Sequence, residues 1–138
     1  MYQNLYSIVQ ETPQHVIVLS GDHVYKMDYA KMLHFHKERG AGATLAAIEV
    51  PSEEAQRFGV LQVDAEGRLT GFLEKPKDLP PGEQVLASLG IYIFDAKFLY
   101  QELKRDMADP NSSHDFGKDI IPRAVREGNA VAHPFALS

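Results

Sequence analysis

The chain has 138 residues, of which 44% are hydrophobic and 24% charged, and a formal net charge of -5. Such a composition is that of a globular domain burying about two-thirds of its unfolded surface, too mildly acidic to be drawn to nucleic acid or anionic membrane. The lack of cysteine excludes disulfides and thiolate chemistry, no apolar run approaches the ~20 residues of a membrane helix, and Met1–Leu5 shows no signal-peptide pattern, so a cytoplasmic location is expected.

Residues 4–10 carry Leu5, Ile8 and Val9 at a helical spacing, broken by Thr12-Pro13-Gln14. His15–Ser20 is a continuous β-branched run that suits a strand covered on both faces, as in a parallel sheet, and it ends at Gly21-Asp22. A helix is predicted over Asp28–Arg39, with Tyr29, Met32, Leu33 and His36 on one stripe and Gly40 as its stop. Thr44–Val50 reads as a strand closed by Pro51, and Ser52–Ala55 as a helical turn. Gly59–Asp64 and Arg68–Glu74 read as a hairpin joined by Ala65-Glu66-Gly67, with the glycine supplying a left-handed position. After a Pro/Gly-rich loop over Lys77–Glu83, Val85–Phe94 is a strand. Asp95 is the expected N-cap of a helix carrying Phe98, Leu99 and Leu103. Asp109–His114 is a polar loop, Asp115–Glu127 is a helical stretch divided by Pro122, and Ala130–Phe135 is a last strand after Gly128. Alternating strands and helices with one inserted hairpin predict an α/β domain built on a mostly parallel or mixed twisted sheet flanked by helices.

Asp22 directly follows an apolar strand, where open α/β sheets bind their ligands. A carboxylate there can hold Mg²⁺, and it can equally be a turn or helix-capping Asp. Glu74-Lys75-Pro76 stands at a strand end, where the chain turns. Lys75 can neutralise a phosphate and Glu74 can accept from hydroxyls, or both are simply solvated charges. Gly59 permits close backbone approach or marks a bulge, and Ser88, inside an apolar strand, needs a partner for its hydroxyl. His34 and His36 face different directions on their helix. The remaining histidines show no ligand-type spacing, so a zinc site is not expected. Asp115 and Asp119, one turn apart around Lys118, read as capping and a surface ion pair. Neither common Gly-rich phosphate loop occurs.

Together, Leu19–Tyr29 (LSGDHVYKMDY), Phe58-Gly59-Val60, Phe72–Pro76 (FLEKP), Ala87–Phe94 (ASLGIYIF) and Ser112–Pro122 (SSHDFGKDIIP) resemble the glucose-1-phosphate adenylyltransferases, or ADP-glucose pyrophosphorylases. The Gly-Asp and Glu-Lys-Pro motifs are common to the wider sugar nucleotidyltransferases, and the Gly-Asp-His-Val-Tyr and Ser-His-Asp-Phe-Gly-Lys-Asp stretches point to the ADP-glucose branch. The resemblance implies a Rossmann-like nucleotide-diphospho-sugar transferase fold. It also implies an enzyme making ADP-glucose and pyrophosphate from ATP and glucose 1-phosphate for glycogen- or starch-type synthesis. Asp22 matches the catalytic, Mg²⁺-binding aspartate, and Lys75 the lysine on the sugar phosphate. Glu74 and Ser88 match sugar-contacting groups, Gly59 the backbone beside the glucose, and Tyr92 a residue near the sugar pocket.

The family's Gly-rich, Arg-containing loop for the ATP phosphates, its later Trp-x-Asp-Val-Gly-Thr stretch and its C-terminal left-handed β-helix, which serves regulation and assembly, are not among these residues. Residues 1–138 are therefore expected to be an internal part of the catalytic domain, carrying the sugar-phosphate side of the site and inactive alone, with a homotetramer for the full-length protein. Two alternatives stay open: a non-catalytic sugar-phosphate-binding module, and a sister enzyme using UTP or dTTP.

Overall fold

The computed structural model describes residues 6–12, 14–20, 29–55, 59–73 and 81–134. Within them, strands β1 (Tyr6–Thr12), β2 (His15–Ser20), β3 (Ala43–Pro51), β4 (Val60–Val63), β5 (Leu69–Leu73), β6 (Gln84–Asp95) and β7 (Ala130–Pro134) form one sheet. Helices α1 (Tyr29–Arg39), α2 (Ser52–Ala55), α3 (Ala96–Met107) and α4 (Ile121–Arg126) flank it, with a π-helical turn at Phe116–Ile120 leading into α4.

The strand order is β1-β2-β6-β3-β7, and the β4–β5 hairpin joins through β4 to the first half of β6. The sheet is mixed, as the alternation of elements suggests, but parallel pairing is confined to β3 with β7. The expectation of a mostly parallel sheet is corrected: β2 is antiparallel to both β1 and β6. The physical reason is coverage. A β-branched run without alternation reports that both faces are buried, and helices on both faces bury an antiparallel strand as fully as a parallel one.

Two apolar clusters lie on opposite faces. One unites Val16, Val18, Leu45, Tyr92 and Phe94 with Leu99 of α3 and Ile121, Ala124 and Val125 of α4. The other unites Ile17, Ala46, Ile48, Ile91 and Ile93 with Met32 of α1 and Ala55 of α2. Residues of even and odd parity on β6 thus serve different layers, as the pleat requires.

The helical reading of residues 4–10 is overturned over the described part, because Tyr6–Thr12 is a strand hydrogen-bonded to β2 from Tyr6↔Ser20 to Thr12↔His15. A short stretch with Ile8 and Val9 fits either period, and pairing with a strand already anchored in the sheet decides it. The hairpin forms as expected. Gly67 takes φ +83°, and Asp64 Oδ1 accepts from the backbone N–H groups of Glu66 (2.9 Å) and Arg68 (3.0 Å).

Asp95 precedes α3 but makes no side-chain capping bond. The Gln14 carbonyl instead accepts from Ala96 N–H at 2.8 Å, and the Asp95 carboxylate accepts from His36 Nε2 at 2.7 Å. The Asp95 carboxylate thus satisfies a ring nitrogen of the buried His36 that would otherwise go unpaired, while the Gln14 carbonyl serves the first helical N–H.

Candidate functional site

The site residues expected from sequence divide into two groups. Asp22, Glu74 and Lys75 lie outside the described residues, whereas Gly59, Ser88 and Tyr92 lie within them. The pairing of β4 with β6, Val60↔Ala87 and Leu61↔Leu86, brings the first two of these together. The next step along both chains is a hydrogen bond from Ser88 N–H to the Gly59 carbonyl, 2.7 Å long. Two residues from distant motifs thus become neighbours at the base of the hairpin.

Each is fixed by local packing. A Cβ at Gly59 would stand 2.6 Å from Phe72 Cζ, so the missing side chain makes room for the aromatic ring across the hairpin. The space beside Gly59 is thus taken by Phe72 of the same hairpin. Ser88 is buried, and its hydroxyl oxygen accepts from Gly90 N–H at 3.2 Å. A hydroxyl that accepts keeps its own proton for donation, so Ser88 can present a hydrogen-bond donor.

Gly90 takes φ +74°. It sits where the register of β6 against β3 shifts, between the pairs Ala47↔Ser88 and Leu45↔Tyr92. Three residues of β6, Leu89, Gly90 and Ile91, therefore face the single Ala46, and only a residue without Cβ takes the left-handed position cheaply. Tyr92 lies beyond this bulge, buried in the first apolar cluster with its ring 6.2 Å from that of Phe94. Its body serves the core.

The chain that carries Glu74 and Lys75 leaves β5 at Leu73 and is described again from Pro81. At that point it is fastened to α2. Gly82 N–H donates to Glu53 Oε1 at 2.8 Å, and Ser52 N–H donates to the Glu83 carbonyl at 2.8 Å. The bond from Gly82 holds the Glu53 carboxyl below the usual carboxylate range.

The Ser112–Asp119 stretch is held by side-chain hydrogen bonds, two of them to α3. Asp106, fully buried at the end of α3, accepts from Ser112 Oγ at 2.5 Å and from His114 Nδ1 at 2.8 Å. A carboxylate partner fixes the Nδ1–H tautomer of His114. Asp115 Oδ1 accepts from Lys118 N–H at 3.1 Å, and Asp119 Oδ2 from Asp115 N–H at 3.0 Å. This is a reciprocal capping arrangement, so the capping reading of these two acids holds.

A model of the nucleotidyl transferase family matches residues 2–137. The chain belongs to this family. It is 57% identical to a glucose-1-phosphate adenylyltransferase of Granulibacter bethesdensis, 55% identical to one of Rhodopseudomonas palustris and 51% identical to one of Paraburkholderia phytofirmans. Each alignment covers all of this chain and 34% of the relative, so the chain spans about a third of the length of these curated nucleotidyl transferases. Enzymes of the nucleotidyl transferase family generally use a divalent metal ion. No helix among the described residues is long and apolar enough to cross a membrane.

One grouping escapes sequence reasoning. His15, His36 and Asp95, far apart in the chain, bring one ligand atom each to within 4.8 Å of one another. The pairing of β2 with β6 sets His15 opposite Asp95, and α1 lowers His36 onto both. The stripe on α1 marked His36 as inward-facing; nothing in the spacing tied it to the other two.

Proposed function

We propose that this chain forms the sugar-phosphate side of the active site of a glucose-1-phosphate adenylyltransferase. The observation that carries the reading is identity of 49–57% to enzymes of that name across the whole chain. The junction of Gly59 with Ser88 supports it, because it sets two residues of the resemblance side by side with a buried hydroxyl donor, as a sugar-binding wall needs.

In the proposed reaction, a phosphate oxygen of glucose 1-phosphate attacks the α-phosphorus of ATP. The new P–O bond gives ADP-glucose, and the bond to the β-phosphate breaks to release pyrophosphate. The protein's task in such a transfer is alignment and charge neutralisation. The Lys75 ammonium neutralises and orients the sugar phosphate, Glu74 accepts from sugar hydroxyls, and Ser88 donates to the sugar. Tyr92 backs this wall from the core. Asp22 offers the hard oxygen donor that Mg²⁺ prefers, and the ion supplies charge stabilisation at the transferring phosphate.

The working protein is proposed to be a cytoplasmic homotetramer carrying further segments for ATP binding and regulation. The test is an assay of the full-length protein with glucose 1-phosphate and ATP, UTP or dTTP in turn, reading pyrophosphate release and the nucleotide sugar formed. ADP-glucose made preferentially from ATP is the expected result. Preferential turnover of UTP or dTTP would assign a sister enzyme, and sugar-phosphate binding without turnover would assign a non-catalytic module.

A further inference from the structure

The outer end of β2, where His15 begins the strand, faces the last residue of β6, Asp95, in an antiparallel pair. This is the opposite end of β2 from the one that leads on to Asp22, and at ~3.3 Å per residue the six-residue strand separates the two by about 17 Å. Here His36 of α1 is almost fully buried and His15 largely so, while the Asp95 side chain is about half exposed. Asp95 Oδ1 lies 2.7 Å from His36 Nε2 and 3.7 Å from His15 Nε2, and the two imidazoles meet edge to face at 5.6 Å. Beside them is an open pocket of about 400 Å³ lined by Gln14, His15, Asp95, Ala96 and Lys97.

We propose that His15, His36 and Asp95 form a binding site for a divalent transition cation of the zinc class, with its fourth position open to this pocket. The donor set is two imidazole nitrogens and one carboxylate oxygen, which suits zinc; Mg²⁺ and Ca²⁺ take oxygen ligands instead. Zinc–ligand bonds of about 2.0–2.2 Å in a tetrahedron put neighbouring ligand atoms roughly 3.3–3.5 Å apart. The separations of 2.7 and 3.7 Å bracket that spacing, and with all three ligand atoms within 4.8 Å of one another, shifts of the half-exposed carboxylate and of one imidazole bring them onto a single ion.

The outer partner of His36 is already in place. Its Nδ1 lies 2.7 Å from Thr44 Oγ1. A threonine hydroxyl can donate or accept, so it serves both tautomers. Without metal, Nε2–H donates to Asp95 and Thr44 donates to Nδ1. With metal on Nε2, Nδ1–H donates to Thr44, the arrangement that orients most metal-bound histidines. Burial also holds the His36 imidazole in the neutral form a metal needs, below its ordinary pKa of 6.5. Lys97 at the rim is an exposed ammonium whose repulsion of a cation is screened by water. Such an ion would clip α1, β2 and the end of β6 together.

The test uses the full chain, stripped with chelator and titrated with Co²⁺ as a spectroscopic stand-in for Zn²⁺, then with Zn²⁺ in competition. One Co²⁺ per chain with the intense visible bands of a four-coordinate site is expected, displaced by Zn²⁺ and not by excess Mg²⁺. Asp95→Asn and His15→Phe, each checked for folding by circular dichroism, should weaken binding at least ~10-fold and lose the bands. Thr44→Val should weaken it roughly 10- to 100-fold with the bands retained. His34→Ala, which alters an exposed histidine paired with Glu38, should change nothing. Failure of the folded chain to bind Co²⁺, binding unaltered in both ligand variants, or loss of binding in the His34 variant would each overturn the site.

Discussion

The Ser88 amide donates to the Gly59 carbonyl across 2.7 Å, joining the hairpin to the long strand where the proposed sugar wall stands. Gly59 has no room for a side chain, because a Cβ would meet the Phe72 ring at 2.6 Å. Gly59→Ala is therefore expected to cost roughly 1–3 kcal/mol, the usual cost of overpacking. In the full-length enzyme it should raise KM for glucose 1-phosphate more than for ATP. Urea denaturation and initial rates check both halves, and an unchanged midpoint would show that Phe72 moves aside freely.

Asp106 anchors the Ser112–His114 loop from beneath, taking one hydrogen bond from each of its ends. Asp106→Ala strands both donors, which at about 1–2 kcal/mol each gives a loss of roughly 2–4 kcal/mol. Thermal and urea unfolding measure it. A loss within the ~0.5 kcal/mol typical of surface changes would mean that the loop is held by other contacts.

Acid should loosen the fold through two histidines. Burial lowers the pKa of His36, with the hydrogen bond to Asp95 opposing it, and burial alone lowers that of His133. Both are below their ordinary value of 6.5 in the folded chain, so between the folded value and 6.5 the unfolded chain binds more protons. Stability is then complete above about pH 6.5 and declines as pH falls through the folded values. Urea midpoints from about pH 8 to about pH 5 should fall on the acid side. Replacing His133 by Phe should flatten part of the slope, and a midpoint that rises toward acid would contradict the assignment.

Lys75 carries the substrate prediction. A charge-assisted hydrogen bond is worth about 1.5–3 kcal/mol, or roughly 10- to 150-fold in affinity. Lys75→Gln in the full-length protein should weaken glucose 1-phosphate by that factor and leave ATP nearly unaffected. Isothermal titration with each substrate separates the two, and equal losses for both would reject the role.

The sequence made some of this visible and concealed the rest for identifiable reasons. The stripe on α1 and the loop ending in Gly67 are local patterns, and both appear where expected. The direction of β2 was not legible, because its uniform apolar run records burial and not the sense of its neighbours. Tyr6–Thr12 misled because a short run of Ile8 and Val9 satisfies both helix and strand periods. Asp95 looked like a cap since nothing nearby in sequence revealed that His36 would reach it. The Gly59–Ser88 contact and the His15–His36–Asp95 grouping depend on strand register between distant segments, which no local pattern encodes. Asp22, Glu74 and Lys75, the most telling residues of the resemblance, lie outside the described residues, so their roles rest on the proposed function.

The bulge around Gly90 sets a rule for how this strand can vary. Ser88 and Tyr92 lie four residues apart on β6 opposite two on β3, so the surplus is an even number. Ala87, Leu89, Ile91 and Ile93 consequently stay in one layer, and Tyr92 and Phe94 in the other. Gain or loss of a single residue there would exchange the two sets and drive Phe94 and Tyr92 into space shaped for isoleucine. Length changes at this point should be tolerated in pairs or not at all.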